Sequence, residues 1–375
     1  VRGSGARQRR AAAGRDRLDE RDLDSAPLAF GPVLVAISGG AGFLGLHLAR
    51  RLVADGHAVR TLDLAPLDDS PLEGRVEEIH GDVRLTTDAR RLVSGADVLV
   101  HAAAALPIQE SRAAIRSVNV EGAAVTFAAA AEAGVGRVVL VSSTAVYGVP
   151  ERHPIHEDDP FVGVGHYGES KIDAERLCDA FARRGLESVI VRPKTFVGAE
   201  RLGVFEILFD WIREGRRIPI LGDGANRYQL LAVEDLVDAI VRCLDAPVAG
   251  EALNIGAARF GTVREDLEDL IGHAGSGSRL FPVPARPAEI ALRGLELARL
   301  SPLAEWHYRT AHKDSFVSID KARELLGWEP RLSNAETLCA TYDWYLAHRD
   351  GLAEAGLTHR VPWDQRALGV LKRLA

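Results

Sequence analysis

A tyrosine and a lysine stand four residues apart in the segment HYGESKIDAERL, residues 166–177. On a helix, this spacing puts the side chains of Tyr167 and Lys171 on one face. A free phenol with a pKa of about 10 is a poor base at neutral pH, but an ammonium group beside it favours the phenolate. The pair is therefore either a device for moving a proton or an ordinary solvated pair on a helix surface.

A glycine-rich segment, SGGAGFLG at residues 38–45, directly follows an apolar run and opens a helical pattern. Gly39, Gly42 and Gly45 fit G-x-x-G-x-x-G, in which glycines let the backbone turn tightly and approach a pyrophosphate at the helix amino terminus. The same pattern also occurs in turns that bind no ligand. Asp63 ends the next strand pattern, where a carboxylate accepts hydrogen bonds from a ribose 2′-hydroxyl and repels a 2′-phosphate. The segment therefore predicts binding of NAD in preference to NADP.

Strand and helix patterns alternate around these residues. Short apolar runs predict strands at 33–38, 58–63, 76–80, 98–101, 137–142 and 188–192. Helical periodicity lies between most of them, from about Phe43 to Ala54 in the first case. Such alternation is typical of an α/β protein with a parallel sheet and helices on both faces. After Pro193 it weakens, and aromatic residues and prolines collect between 281 and 330, which predicts a smaller lobe over the carboxyl edge of the sheet.

Composition excludes several classes of protein. The chain has 375 residues, 47% hydrophobic and 26% charged, as globular proteins do. Its net charge of −7 argues against a general affinity for nucleic acid or an anionic membrane, and no apolar run reaches the ~20 residues that span a bilayer. The three cysteines lie far apart, which favours a reducing, cytoplasmic compartment. His153 and His156 have no third ligand nearby, so no metal site is predicted.

The motifs together resemble those of extended short-chain dehydrogenases/reductases and, more narrowly, of the NAD-dependent epimerase/dehydratase family. The resemblance covers roughly residues 33–330 and rests on the glycine motif, Asp63, HAAA (101–104), VSSTAVYG (141–148) and the Tyr167–Lys171 pair. It implies an α/β fold, a Rossmann-type doubly wound parallel sheet with a smaller C-terminal substrate lobe.

The expected domain organisation follows from this resemblance and from composition. Residues 1–30, with seven arginines and five acidic residues, are predicted to be a disordered tail. An NAD-binding Rossmann domain is expected at 31–193. A substrate-binding lobe interleaved with returning Rossmann elements is expected at 194–330, and a helical segment at 331–375.

The resemblance also assigns catalytic roles. Tyr167 is the expected general base for oxidation of a carbinol and the general acid for reduction, and Lys171 supports it and holds the nicotinamide ribose. Ser143 matches the hydroxyl that hydrogen-bonds the reacting oxygen, with Thr144 as the fallback. Asn119, in SVNVEG on a predicted helix, either supports the lysine through water or packs the helix.

Further residues are expected to line the cofactor. Asp82 follows the third predicted strand, where it either reaches the adenine or stays a solvated loop residue. The other cofactor-binding positions are Phe43, Leu44, Val83, Ala102 and Ala103.

The residues after Ser143 narrow the reaction. Related dehydratases carry acidic residues there and related decarboxylases a glutamate, whereas this chain has Thr144 and Ala145. Neither transfers a proton at a useful pKa, so 4,6-dehydration and decarboxylation are disfavoured. Epimerisation through a transient ketone needs only Tyr167, Ser143 and NAD. The alternatives are an NAD-dependent dehydrogenase or ketoreductase of a non-nucleotide alcohol, like hydroxysteroid dehydrogenases or flavonoid reductases, and a non-catalytic NAD-sensing protein.

The substrate-binding positions depart from the family pattern. In RPKT (192–195), Thr195 replaces the family's asparagine, and Lys194 either binds phosphate or is a surface lysine. Arg227 is the candidate ligand for a diphosphate, although it lies one residue further from Asp235 than expected. The predicted partner is a small molecule, with a nucleoside-diphosphate sugar as the leading class. Since family members often dimerise, a homodimer is left open.

Overall fold

Seven parallel strands form the central sheet of this computed structural model, which describes residues 31–106, 111–200, 205–288, 290 and 311–349. The strands are β1 (Leu34–Ser38), β2 (Ala58–Asp63), β3 (Val76–His80), β4 (Val98–His101), β5 (Arg137–Val141), β6 (Ser188–Pro193), β7 (Thr195–Val197), β8 (Arg217–Leu221), β9 (Leu230–Ala232), β10 (Ala252–Ile255) and β11 (Arg279–Val283). The large sheet has the order β10-β6-β5-β4-β1-β2-β3, with every pair parallel. Two further parallel pairs, β8 with β11 and β7 with β9, stand apart from it.

Helices cover both faces of the sheet. They are α1 (Phe43–Ala54), α2 (Thr86–Val93), α3 (Arg112–Arg116), α4 (Ala123–Ala133), α5 (Gly165–Ala182), α6 (Phe205–Arg213), α7 (Val233–Arg242), α8 (Val263–His273), α9 (Asp320–Leu326) and α10 (Asn334–His348). A π-helical turn, Ser117–Gly122, joins α3 to α4. Helices α1 and α7 pack side by side, and α4 packs between α2 and α5.

The apolar core lies in two layers, one on each face of the sheet. Because side chains alternate along a strand, Val35 and Ile37 of β1 join the layer under α1 and α7, while Ala36 joins the layer under α4 with Phe127. Both layers are buried, as a parallel sheet covered by helices requires. The predicted doubly wound parallel sheet is confirmed.

A third apolar cluster forms the lobe. It joins β7, α6, β8, α8 and α10, with Phe209, Leu270 and Tyr342 among its buried residues. By contrast, α7, β10 and α9 return to the sheet. Trp328, which follows α9, is buried in the sheet core, and its Nε1 donates to the Asp235 carbonyl at 3.1 Å.

The disordered tail expected at 1–30 lies outside the described residues. Of the helical segment expected at 331–375, residues 331–349 are described and contain α10, and the remainder lies outside the described residues. Within the described ranges, no helix combines the length and apolar character needed to cross a bilayer. In the same part of the chain, no group of three or more His, Cys, Asp or Glu side chains could hold a metal ion.

Candidate active site

The turn between β1 and α1 consists of glycines because neighbouring backbone leaves no room for side chains. Gly39 has a φ of +78°, which favours glycine, and a Cβ there would lie 2.8 Å from the Ala103 backbone. A Cβ on Gly45 would lie 2.2 Å from the Gly39 carbonyl oxygen. The N-cap of α1 is Gly42, which offers no capping side chain. The amino terminus of α1 therefore presents backbone N–H groups and a positive dipole to an anion such as a pyrophosphate.

Asp63 ends β2 beside this turn. Its carboxylate accepts hydrogen bonds from the backbone N–H groups of Ala41 and Ala65, both at 3.1 Å. Burial raises the pKa of the carboxyl, and the same backbone bonds oppose that shift. Each carboxylate oxygen keeps a lone pair for another donor, so the position suits a ribose hydroxyl.

The other residues predicted to bind the cofactor differ in their burial and in their hydrogen-bond partners. Phe43 and Leu44 are buried in the first turn of α1, and Val83 is buried after β3. Asp82 is neither isolated nor simply solvated, because the Arg84 guanidinium donates to its carboxylate at 2.9 Å. These hydrogen bonds lower the pKa of Asp82.

A buried histidine joins the glycine turn to the loop after β4. His101 is 1% exposed, and its Nδ1 lies 2.9 Å from the Ser38 Oγ, which also accepts from the Ala103 N–H at 3.4 Å. Ala102 donates its N–H to the Ser38 carbonyl at 3.1 Å. Burial, followed by the charge of Lys171, lowers the pKa of His101 to about 3, so the ring is neutral at physiological pH. The HAAA motif contains this residue, but no role was predicted for it.

Tyr167 and Lys171 lie in the first two turns of α5. Lys171 is 4% exposed, and its Nζ donates to the Val141 carbonyl at 2.9 Å. The same Nζ lies 5.8 Å from the centroid of the Tyr167 ring. Burial lowers the pKa of Lys171 to about 8, with the charge of Glu175 opposing. A solvated surface pair is therefore wrong for this lysine, which is buried and still mostly protonated at neutral pH.

Ser143 lies on the segment that the lysine holds. It comes two residues after Val141 and caps a 3₁₀ turn, Thr144–Tyr147, by accepting the Ala145 N–H at 3.1 Å. Thr144, the fallback hydroxyl, is half-buried in the same turn. A Cβ on Gly168 would lie 2.7 Å from the Ala145 carbonyl oxygen. The segments that carry Ser143 and Tyr167 are therefore in direct backbone contact.

Asn119 lies in the π-helical turn and is 2% exposed. Its Oδ1 accepts from the Ala105 N–H at 2.7 Å, and its Nδ2 donates to the Ala105 carbonyl at 3.1 Å and to the Ser170 Oγ at 3.0 Å. These bonds fasten the loop after β4 to α5, beside Lys171. A contribution to the lysine through water stays a prediction.

Lys194 follows β6 and is 4% exposed, so a surface lysine is wrong. Its Nζ donates to the Ser315 Oγ at 2.7 Å and lies 4.9 Å from the centroid of the Tyr228 ring. Burial lowers the pKa of Lys194 to about 7. The neighbouring Thr195 places its Oγ1 3.2 Å from the Tyr228 hydroxyl.

The Arg227 guanidinium packs against two aromatic rings that also contact each other, with ring centroids 5.5 Å apart. Its guanidinium carbon lies 4.6 Å from the ring centroid of Phe260 and 4.9 Å from that of Phe316. The Arg227 N–H donates to an Asp314 carboxylate oxygen at 2.7 Å, and its carbonyl accepts from the Ser315 N–H at 2.8 Å. Because Lys194 also bonds Ser315, the two cations belong to one surface, the substrate wall, formed by Lys194, Arg227, Tyr228, Phe260, Ser315 and Phe316.

A buried ion pair lies beside the segment that carries Ser143. Arg192 donates to Glu175 at 2.7 Å and to the Tyr147 hydroxyl at 2.7 Å. Glu175 in turn accepts a hydrogen bond from Ser142, the neighbour of Ser143. The sequence did not predict this network. Its signal was an arginine at the end of an apolar strand pattern.

Comparison with known families agrees with this geometry. The family model described as "NAD dependent epimerase/dehydratase family" matches residues 35–256. That span runs from β1 to β10 and includes the glycine turn, Ser143, Tyr167 and Lys171.

Individual relatives vary in how much their names say. The chain is 36% identical over 338 residues to the uncharacterized protein y4nG of Sinorhizobium fredii, covering 89% of this chain and 84% of that one. It is 27% identical to a UDP-glucose 4-epimerase of Mycolicibacterium smegmatis, covering 82% and 97%. The solved structure of MoeE5 in complex with UDP-glucose and NAD is 26% identical, with a TM-score of 0.68 and coverage of 85% and 100%.

Proposed function

Because the chain belongs to the NAD dependent epimerase/dehydratase family, we propose that it is an epimerase that inverts one carbinol of a nucleoside-diphosphate sugar. The observation that carries the proposal is the buried Lys171 ammonium, which is fixed to Val141 and lies beside Tyr167. This arrangement supplies one proton-transfer couple next to the Ser143 hydroxyl. Thr144 and Ala145 add no second acid, which a dehydratase would need.

NAD is the cofactor of this family, and the residues present fit it. The glycine turn leaves a cradle that a Cβ would fill, the α1 amino terminus faces that cradle, and Asp63 stands at its edge. When bound, NAD would take up a hydride from the carbinol carbon and later return it. The Lys171 ammonium on α5, which bonds Val141 at the carboxyl end of β5, would hold the nicotinamide ribose.

The protein's own residues move the proton. Tyr167 accepts the proton of the substrate hydroxyl as the carbon is oxidised, and it returns that proton when the ketone is reduced. The Lys171 ammonium favours the phenolate between these two steps. Ser143 donates a hydrogen bond to the reacting oxygen. Inversion then requires only that the ketone present its other face before reduction.

The nucleotide part of the substrate is assigned to the substrate wall. Arg227 is a planar fork of donors that suits two phosphate oxygens, and contact with the Phe260 and Phe316 rings restricts its movement. The names of two relatives, which include UDP-glucose, support this substrate class. The free cysteines of the described chain fit the expected cytoplasmic compartment.

Competition by free nucleotides tests the proposal. UDP or dTDP should compete with the substrate, and Arg227→Lys should weaken that competition and raise KM far more than it lowers kcat. Turnover should proceed without added NAD if the cofactor stays bound through the cycle. If neither nucleotide competes at millimolar concentration, the proposal fails. Net formation of NADH from a non-nucleotide alcohol would then identify a dehydrogenase that uses the same Tyr167 and Ser143.

A further inference from the structure

Lys194 is a buried cation whose charge no carboxylate balances within the described part of the chain. Its Nζ bonds the Ser315 hydroxyl and faces the Tyr228 ring, and ion pairs among the described residues do not include it. Arg192, two residues earlier, is equally buried but is paired with Glu175 at 2.7 Å. Burying an ammonium group without an anion is costly. The contrast leaves Lys194 able to pair with an anion that a ligand supplies.

The position of Lys194 says which part of a ligand it meets. Its N–H donates to the Ile255 carbonyl at 2.8 Å, so it lies at the carboxyl edge of the sheet, directly after β6. Strand β6 pairs with β5, which leads to Ser143. On its other side, Lys194 reaches Arg227 through Ser315. It therefore stands between the strand end that carries the catalytic hydroxyl and the arginine assigned to the diphosphate, where the sugar must lie.

A second polar group, the His153 imidazole, lies beside Phe316 of the substrate wall. The His153 ring packs on Phe316 with centroids 4.9 Å apart, and the buried Nε2 has no hydrogen-bond partner within the described residues. His153 is held there because its loop pairs with the segment that carries Phe316, through the Ile155 N–H and the Phe316 carbonyl at 3.0 Å. Lys194 bonds Ser315, the residue before Phe316, so His153 and Lys194 contact neighbouring residues of one segment. Burial lowers the pKa of His153, with the charge of Asp314 opposing this and that of Lys194 adding to it.

We propose that the sugar ring of the substrate carries a carboxylate, which pairs with Lys194 and takes a hydrogen bond from His153. The inference rests on the proposed function, since it assigns the diphosphate to Arg227 and a separate anion to Lys194. A carboxylate on the sugar balances the buried ammonium and satisfies the imidazole at once. A neutral hexose would leave the charge of Lys194 uncompensated.

Calorimetric titration with UDP, UDP-glucose and UDP-glucuronate tests this, with the dTDP series run in parallel. The wild type should bind the uronate about tenfold or more tightly than the neutral sugar, as expected for one added charge-assisted hydrogen bond. Lys194→Met should remove most of that preference and leave the affinity for UDP nearly unchanged. The matched control is Lys321→Met on α9, which changes a lysine that is paired with Glu251. This variant should keep the preference.

The outcomes separate the two proposals. If neither UDP nor dTDP binds, the nucleotide-sugar function fails, and this inference fails with it. If the nucleotides bind but wild type does not distinguish uronate from neutral sugar, only the present inference is overturned. An equal loss of affinity for UDP and both sugars in Lys194→Met would assign Lys194 to the diphosphate and would also overturn it. Lys194→Gln repeats the test if the methionine variant does not fold.

Discussion

The cofactor side and the substrate wall are built in different ways. The cofactor side is a backbone device: the glycine turn and Asp63 lie within residues 38–63 and depend on close approaches between main-chain atoms. The substrate wall is a side-chain device assembled from the distant residues Lys194, Arg227, Phe260 and Phe316. The first is specified locally and serves any member that binds the same cofactor. The second can change one side chain at a time, so under the proposed function we expect substrate choice to depend on it.

The largest expected effect comes from the proton-transfer group that both sides share. Tyr167→Phe should lower kcat by about 10²- to 10⁴-fold, the usual contribution of a general acid–base. NAD affinity should stay nearly the same because only the phenolic oxygen is lost. Single-turnover kinetics and NAD titration measure the two quantities. A variant that keeps more than about a tenth of the wild-type rate would remove the proton-transfer role from Tyr167.

A single methyl group should break the cofactor side. In Gly45→Ala the new Cβ would lie 2.2 Å from the Gly39 carbonyl oxygen, so the turn must shift. Overpacking of this kind costs about 1–3 kcal/mol. If the variant relieves that strain by giving up the turn geometry, NAD binding should weaken roughly 5- to 150-fold. Fluorescence titration of NAD measures the change. Gly272→Ala on α8, where a Cβ meets nothing within 4 Å, is the control and should bind NAD like the wild type.

A change in the substrate wall should weaken substrate binding and leave NAD binding intact. Phe316→Leu removes one of the two rings that contact the Arg227 guanidinium and keeps an apolar side chain. Cation–π contacts contribute about 0.5–2 kcal/mol, so KM for the nucleotide sugar should rise about 2- to 30-fold. The affinity for NAD should not change, because Phe260 and Phe316 lie away from the glycine turn. A parallel loss of NAD binding would show that the two sides are not independent.

The last prediction concerns stability and pH rather than turnover or ligand binding. The pKa of Lys194 falls from 10.5 in the unfolded chain to about 7 in the folded one. Between these values the unfolded chain binds the extra proton, so the free energy of unfolding rises with pH relative to a variant without the lysine. Lys194→Met should therefore exceed the wild type in stability most clearly below pH 7, and the gap should close as pH rises towards 10. Urea denaturation at pH 6 and pH 9 measures it; a gap that does not vary with pH would contradict the burial of a charged Lys194.

The same contrast explains what the sequence could predict. The helix predicted from about Phe43 to Ala54 and the strand at 58–63 are confirmed, and so are the parallel sheet and the family. Periodicity and glycine spacing report such local structure directly. The contact of Phe260 and Phe316 with the Arg227 guanidinium was not predicted, since nothing in a local window pairs residues from three separate segments. The burial of Lys194 was also left open, because a lysine following a strand pattern is usually exposed.

The discontinuous lobe core also orders events during synthesis of the chain. Strands β1 to β5 follow one another in sequence, so they can pair soon after they leave the ribosome. The lobe core joins Phe209, Leu270 and Tyr342, and it closes only after α10 has emerged. Contacts of such long sequence separation form slowly and leave apolar surface exposed in the meantime. We therefore expect a stage in synthesis at which the glycine turn has formed while the apolar faces of α6 and α8 are still uncovered.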